Sequence, residues 1–524
     1  MGDKVLLLGN EAIARGAYEA GCQVAAAYPG TPSTEILETL AKTYRDIRSQ
    51  WSPNEKVALE VATGAAIAGV RALAAMKHVG LNVASDPLFT FSYTGINSGL
   101  VIINADDPGP WSSQNEQDNR HTARASKVPM LEPSDPQEAK DFTKLAFEIS
   151  ENFDVPVIVR ITTRIAHSQG LVEIDDIVSP LPEKEFVRRP AKHVMIPVFV
   201  RQRHKFKEEE QIPGLKEFSN KSGLNKIEWN NKKRGIITDS VAYQYVKETC
   251  PNDSVLKIGM CWPMPDDVIR EFASQVEEVC VVEELDPYIE EHVKSLGIQV
   301  TIGKNKLPVL SELTPDIVNE AMNGKTHKRA VPVYDEAKIP GRPPSLCAGC
   351  PHIYVYDVLK KLDLHVNGDI GCYTLGVLPP YSAMHTQGCM GASIGMHIGM
   401  EKAKPEMARK SVAIIGDSTF VHSGITPLID LVYNKGTGTV IILDNRTTAM
   451  TGHQEHPATG KTLMGEETHA LDLALLAEAV GVKREHVRTV DPKNTEELER
   501  VVAEEVAASE PSVIISLRKC ILSK

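Results

Sequence analysis

The sequence predicts an α/β protein built from several doubly wound parallel-sheet domains. Short apolar runs of strand length alternate with helix-period segments in three separate blocks. Many of those runs end on Gly, Pro, Asp or Asn, the residues that turn a chain at the carboxyl edge of a sheet. The chain has 524 residues, enough for about three or four domains with cores of their own.

Residues 1–180 form the first block. Residues 5–8 read as a strand, a helix begins at Glu11, residues 24–28 are a second strand, and YPGTPSTEI opens the next helix. Ser52-Pro53-Asn54-Glu55 starts VALEVATGAAIAGVRALAAM, which is apolar almost all round and is therefore expected to be buried. Residues 100–104 and 155–161 complete the strand pattern. Residues 181–232 are charged and broken, a surface linker with room for one amphipathic helix. Residues 233–328 repeat the strand–helix alternation through GIITDS, VLKIGM and VEEVCVVEEL. Residues 329–344 are a proline-rich connector, and 345–524 form the third α/β block.

The third block carries the most chemistry. Residues 411–415 read as a buried strand ending at Gly416-Asp417-Ser418. A helix with apolar Ile425, Leu428, Ile429, Leu431 and Val432 follows, and then a second strand, 439–443, leads to Asp444-Asn445. Side chains at adjacent strand ends converge outside the carboxyl edge of a parallel sheet, where such folds bind ligands. Oxygen donors there suit Mg²⁺, which shares its octahedron with phosphates and water. The window resembles the thiamine diphosphate motif, a GDG-type turn followed by an asparagine, although Ser418 replaces the third glycine and Asp444 the first of two asparagines. The same pattern serves plain α/β domains, with Asp417 capping a helix and Asn445 closing a turn.

A net charge of −12 argues against nucleic acid or an anionic membrane as the main partner. No apolar run approaches the roughly 20 residues that span a bilayer. The first apolar run is too short for a signal peptide, and Leu6 spoils a myristoylation reading of Met1-Gly2, so a cytoplasmic protein is expected. In that compartment the nine cysteines are thiols, metal ligands or redox groups. Cys347 and Cys350 form a lone CxxC, which is compatible with half a zinc site, a redox pair or simple packing. Cys372 and Cys520 stand out beside it. Cys22, Cys250, Cys261 and Cys280 lie in apolar contexts and read as core, and Cys389 reads as packing at a helix start.

Two glutamates in the first block compete for attention. Ser52 and Glu55, with Pro53 between them, make a capping box, which is the structural account of Glu55. Glu60 lies inside the apolar helix, where an ionised carboxylate needs a partner.

Taken in order, YPGTPSTEI, SPNEKVALEVATGAA, KHVGLNVASDPLF, SSQNEQD, LCAGCPH, GDIGCYTLG, CMGASIGM, GDSTFVHSGI and LDNRTTAMTGHQEHP closely resemble the alpha subunits of the indolepyruvate:ferredoxin oxidoreductase family, over nearly the whole chain. The resemblance implies domains of the thiamine diphosphate-dependent enzyme type and oxidative decarboxylation of aryl 2-oxoacids to aryl-acetyl-CoA and CO₂. It implies Asp417, Asn445 and the Thr447 carbonyl as Mg²⁺ ligands, with Gly416, Ser418, Thr451 and Gly452 bordering the diphosphate. Glu55, nine residues before Gly64, takes the role of the glutamate that activates the aminopyrimidine. Thr31 takes that of the threonine contacting the 2-oxoacid, and His78 and Gly80 line the pyrimidine side. Cys347, Cys350, Cys372 and Cys520 reproduce the order of ligands to a four-iron, four-sulfur cluster.

The resemblance further implies coenzyme A as cosubstrate, ferredoxin or a similar electron acceptor, and a smaller beta-type subunit in a two-plus-two heterotetramer. One departure is that no ferredoxin-like module with CxxCxxCxxxC runs follows Cys520, which puts the acceptor in question. A non-oxidative thiamine-dependent decarboxylase or carboligase is the alternative enzyme, and a non-catalytic scaffold paralogue the alternative from outside enzymology. No residue in the sequence marks an indole pocket or the group that receives the substrate carboxylate.

Overall fold

The structure is a computed structural model in which residues 3–325, 339–340 and 343–523 are described. It falls into two compact units, Met1–Ala330 and Val331–Lys524. Met1-Gly2 and most of the 329–344 connector lie outside the described residues.

The first unit holds a seven-stranded sheet in the spatial order Met260–Trp262, Met130–Leu131, Val157–Thr162, Leu100–Asp106, Ala72–Lys77, Val24–Ala27, Arg48–Trp51. All neighbours are parallel except the first pair. Its central strands, ALAAMK and LVIINAD, are buried almost throughout, because a parallel sheet has both faces covered by crossover helices. The predicted strand at residues 5–8 does not join it. Lys4–Leu8 pairs antiparallel with Gln169–Glu173 in a separate two-stranded ribbon, which strand periodicity alone cannot distinguish from sheet membership.

A second, five-stranded sheet follows in the order Val300–Ile302, Glu278–Val282, Asn231–Asp239, Asp253–Ile258, Lys226–Glu228. It shares a core with the first sheet through Leu59, Met76, Leu256, Ile258 and Phe272. A buried ionic network also spans them. Arg120 binds Asp118 (2.6 Å), Asp239 (2.9 Å) and Glu283 (2.8 Å), and Arg160 binds Asp106 (2.7 Å) and Glu132.

The charged segment 181–232 is more ordered than its composition suggests. Helices Pro197–Phe206 and Ile212–Lys221 run together through a π-helical turn, Lys207–Gln211. Leu215 is buried together with the side chains of Lys207 and Gln211, a face spaced every four residues that a hydrophobic-periodicity reading does not register because two of its three members are polar.

The second unit is a six-stranded, all-parallel sheet in the order Thr386–Gln387, His365–Gly368, Ser411–Gly416, Thr439–Asp444, Ser512–Leu517, Val487–Val490. Val412, Ile414, Ile441 and Leu443 face one core, and Ala413, Ile415, Val440 and Ile442 face the other, so the strand alternation feeds two apolar layers. Among the described residues no helix is long and apolar enough to cross a membrane.

Candidate active site

In the second unit, three parallel strands end side by side, and an acid stands at each end: Asp369, Asp417 and Asp444. All three are buried. Asp369 accepts the N–H groups of Gly391 (2.8 Å) and Ser393 (3.0 Å), and so anchors the start of helix Ala392–Ala403.

Asp417 is held differently. Its Oδ1 accepts the Ser418 N–H (2.9 Å), and its Oδ2 accepts the Arg446 N–H (2.8 Å) and faces His456 Nε2 at 3.2 Å. Burial works to raise its pKa, but His456 and these hydrogen bonds hold it below the ordinary carboxylate range. Asp444 goes the other way, pushed up to about 7 by burial and by the charge of Asp417. Arg446 Nε, 3.2 Å from Asp444 Oδ2, offsets part of this, but the two facing carboxylates still repel each other in a buried edge. Oxygen donors that repel one another in this way fit a hard divalent cation such as Mg²⁺.

Asn445 and Thr447 complete the edge. Asn445 Oδ1 accepts the Thr447 N–H (3.2 Å), and both residues are nearly buried. Thr448 Oγ1 donates to Ser418 Oγ (2.9 Å), which ties the serine at the third-glycine position into the same loop. At Gly416 a Cβ would come within 2.9 Å of the Tyr373 ring. Gly452 has φ +124°, a left-handed value that glycine adopts without strain, and Thr451 Oγ1 donates to Gln454 Oε1 (2.5 Å) just before it. A cavity of about 1030 Å³ opens beside Thr447, with Arg446, His453, Lys461 and Arg518 in its wall.

The four singled-out cysteines gather on the same unit. Cys350 precedes helix Pro351–Lys361, Cys372 begins the turn Cys372–Val377, and Cys520 follows strand Ser512–Leu517. The Cys350 thiol is pushed up to about 11, first by burial and then by the potential of Cys347, Cys372 and Cys520. Cys372 is raised by burial and by Cys520 and Cys347. Cys347, Cys372 and Cys520 thus lie near enough to Cys350 to act on it electrostatically, and thiolates are the form in which such residues hold a metal cluster. Cys389 is exposed, so it is not the packing residue its glycine-rich surroundings suggest. Cys22, Cys250, Cys261 and Cys280 are buried, as expected of core.

In the first unit, Glu55 is buried at the first turn of helix Glu55–Ala68, 4% exposed. The cap of that helix is Asn54, whose side chain accepts the Val57 N–H (3.0 Å), so the expected Ser52–Glu55 capping box does not form. Ser52 is instead held back on the sheet by its N–H bond to the Ala27 carbonyl (2.7 Å). Glu60 is not buried. It pairs with Lys56 on the outer face, where Gly64 has open space around it, so the helix buries only one side despite its composition.

Glu55 packs against Gly80, where a Cβ would fall 2.6 Å from Oε1. His78 is fully buried, its Nε2 donates to the Asn115 carbonyl (3.1 Å), and burial lowers its pKa. Its Nδ1 therefore carries a lone pair, which finds no hydrogen-bond partner among the described residues. Thr31 follows Gly30 in the turn after strand Val24–Ala27, with the Gly30 carbonyl receiving Ser33 N–H (2.8 Å) and Oγ–H (2.9 Å). Sequence reasoning missed Lys77 because it ran the helix of Glu55 on through RALAAM, whereas the helix ends at Ala68 and Ala72–Lys77 is a strand of the central sheet.

One group of described residues has the spacing of a single-ion site elsewhere, Asp118, His121 and Asp286, but Arg120 already neutralises Asp118.

Comparison with known proteins agrees with this division of the chain. Residues 15–221 match the family described as "Pyruvate flavodoxin/ferredoxin oxidoreductase, thiamine diP-bdg", and residues 369–516 match "Thiamine pyrophosphate enzyme, C-terminal TPP binding domain". A 2-oxoglutarate:ferredoxin oxidoreductase from Magnetococcus marinus shares the fold at a TM-score of 0.51 and 17% identity, over 61% of this chain and 64% of that one. Among curated proteins, the indolepyruvate oxidoreductase subunit IorA of Archaeoglobus fulgidus is 42% identical over 99% of this chain and 87% of its own length. The protein of the same description from Methanothermobacter thermautotrophicus is 41% identical over 100% of this chain and 88% of its own length. Identity at that level, sustained across both units, means that the chain belongs to the indolepyruvate oxidoreductase subunit IorA family.

Proposed function

We propose that this chain is the large catalytic subunit of a thiamine diphosphate-dependent 2-oxoacid:ferredoxin oxidoreductase. It would convert aryl 2-oxoacids of the indolepyruvate type, with coenzyme A, into aryl-acetyl-CoA and CO₂ and pass the electrons to ferredoxin or a similar carrier. Family membership and the two thiamine diphosphate domain matches support the reaction class. The relatives are described as subunits, which supports assembly with a second, smaller chain.

The observation that carries the oxidative reading over a non-oxidative decarboxylase is the interacting set Cys347, Cys350, Cys372 and Cys520 beside the Asp417–Asn445 edge. Four thiolates suit a four-iron, four-sulfur cluster, which supplies one-electron transfer when bound. Thiamine diphosphate would supply the nucleophilic carbon and the electron sink that decarboxylation of a 2-oxoacid needs.

The chain's own residues bind and orient. Asp417, Asn445 and the Thr447 carbonyl would hold Mg²⁺, and Gly416, Ser418, Thr451 and Gly452 would border the diphosphate. Glu55, buried and backed by Gly80, would face the aminopyrimidine nitrogen, with His78 lining the pyrimidine side. Thr31, at a strand-to-helix turn, contacts the 2-oxoacid.

The test is oxygen-free purification with its partner chain, followed by iron, acid-labile sulfide and thiamine diphosphate per chain and arylpyruvate-dependent, CoA-dependent reduction of a viologen dye. About four irons with dye reduction are expected. Thiamine diphosphate binding with aldehyde or acyloin release, and no dye reduction, would establish the non-oxidative enzyme instead.

A further inference from the structure

We infer that Lys77 is the cation that receives the carboxylate of the 2-oxoacid substrate. The inference rests on the proposed reaction class and names a residue that reading leaves open.

Lys77 ends the central strand Ala72–Lys77 and stands at the carboxyl edge of the sheet, where ligands of such folds bind. Its neighbours on that edge are the residues already assigned to chemistry. The lysine stem runs over Gly30, where a Cβ would lie 3.2 Å from Lys77 Cγ and Cδ, so the glycine keeps room for the stem next to Thr31. His78 follows it in sequence, and Glu55, packed on Gly80, faces it through space.

The ammonium is held but not neutralised. It donates one hydrogen bond, to the Ser112 carbonyl (2.8 Å), and forms no ion pair among the described residues. The charged groups facing it are Asp107 and Glu55, which favour the protonated form, with His78 alongside. Asp107 is occupied by Ser112 N–H (2.9 Å), Ser113 Oγ (2.7 Å) and Thr163 Oγ1 (2.7 Å), so it positions the 112–113 loop rather than capturing the lysine. Burial pushes Lys77 down to about 8 despite both carboxylates. A partly desolvated ammonium with two unused donors is the complement of a small anion entering the same edge. The proposed reaction brings two anions, the substrate carboxylate and the phosphates of coenzyme A, and the position of the lysine stem on Gly30, next to Thr31, favours the carboxylate.

The experiment uses the assembled enzyme with its partner chain and compares the unaltered protein with Lys77→Met. The unaltered enzyme must first reduce dye with arylpyruvate and coenzyme A. If it does not, the reaction class is wrong and the inference falls with it. If it does, Lys77→Met should raise KM for arylpyruvate by about 10- to 100-fold, the loss of a charged hydrogen bond. KM for coenzyme A and thiamine diphosphate bound per chain should stay unchanged. Competitive inhibition by 3-phenyllactate should weaken by the same factor, while that by 3-phenylpropane-1,2-diol, which lacks the carboxylate, should not move.

Should the variant fail to fold, the unaltered enzyme still decides. Its kcat/KM for arylpyruvate should fall as pH rises through about 8, the value burial gives Lys77, as its ammonium is lost. An unchanged arylpyruvate KM in Lys77→Met, a shifted KM for coenzyme A in its place, or a flat profile across that pH range would overturn the assignment.

Discussion

The backbone N–H of Cys520 donates to the backbone carbonyl of Asn445 at 3.0 Å. A candidate cluster ligand and a candidate Mg²⁺ ligand are therefore fastened to each other by the main chain, at the ends of adjacent strands Ser512–Leu517 and Thr439–Asp444. Tyr373, the residue after Cys372, adds a second tie, since its ring lies on Gly416 just before Asp417.

That bond separates the two roles of Cys520 in a test. In Cys520→Ala the main-chain donor survives and the sulfur is lost. The expected outcome is a loss of iron and acid-labile sulfide with thiamine diphosphate binding retained, read by metal analysis and cofactor content under anaerobic conditions. Full iron content in the variant would remove Cys520 from the ligand set.

Asp417→Ala removes the carboxylate that joins Ser418, Arg446 and His456 at the strand end. Mg²⁺-dependent binding of thiamine diphosphate should drop at least 100-fold, since the carboxylate ligand and the order of the loop it holds are lost together. Equilibrium dialysis with and without Mg²⁺ measures it, and retained tight binding would sink the motif assignment.

The fold class and the strand-end motif were legible because parallel strands buried on both faces write near-continuous apolar runs, as in SVAIIG and TVIILD. Glu55 was legible as a site residue only through resemblance, and the local rule that competed with it, the Ser52 capping box, lost to a backbone bond from Ser52 to the neighbouring strand. Glu60 looked buried because composition cannot tell which face of an apolar helix is covered. His456 escaped notice for a different reason. Its role depends on which strand ends and loops meet, and a single sequence does not display those pairings.

Gly80 and Glu55 make the pyrimidine-side assignment testable without touching the carboxylate. In Gly80→Ala the new methyl carbon would lie 2.6 Å from Glu55 Oε1, too close for a carbon and an oxygen in contact, so Glu55 must swing away. Turnover should fall about 100-fold or more, as for a misplaced proton-transfer group. Glu55→Gln should abolish turnover with cofactor binding kept, and Glu60→Gln, on the outer face, should change neither. Normal turnover in both Gly80→Ala and Glu55→Gln would move the role elsewhere.

The last prediction concerns stability and the helical segment that composition disguised as a linker. Lys207 is buried in the turn Lys207–Gln211, bonded to Gln211 Oε1 (2.7 Å), with its ammonium 5.6 Å from the Tyr93 ring centre. Burial, with Arg203 and Lys127 adding to it, pushes its pKa down from 10.5 to about 7. Between those two values the unfolded chain holds a proton that the folded chain has released. Stability from this group therefore rises with pH from about 7 to 10.5 and is lowest, and flat, below that window. Lys207→Met, similar in length and uncharged, should remove that slope and stabilise the first unit near neutral pH by on the order of 1–3 kcal/mol. Denaturant unfolding of the two proteins at pH 6.5 and pH 9.5 measures it. The gap between them should narrow at the higher pH, and a gap that stays constant or widens would show that Lys207 is charged in the folded chain throughout.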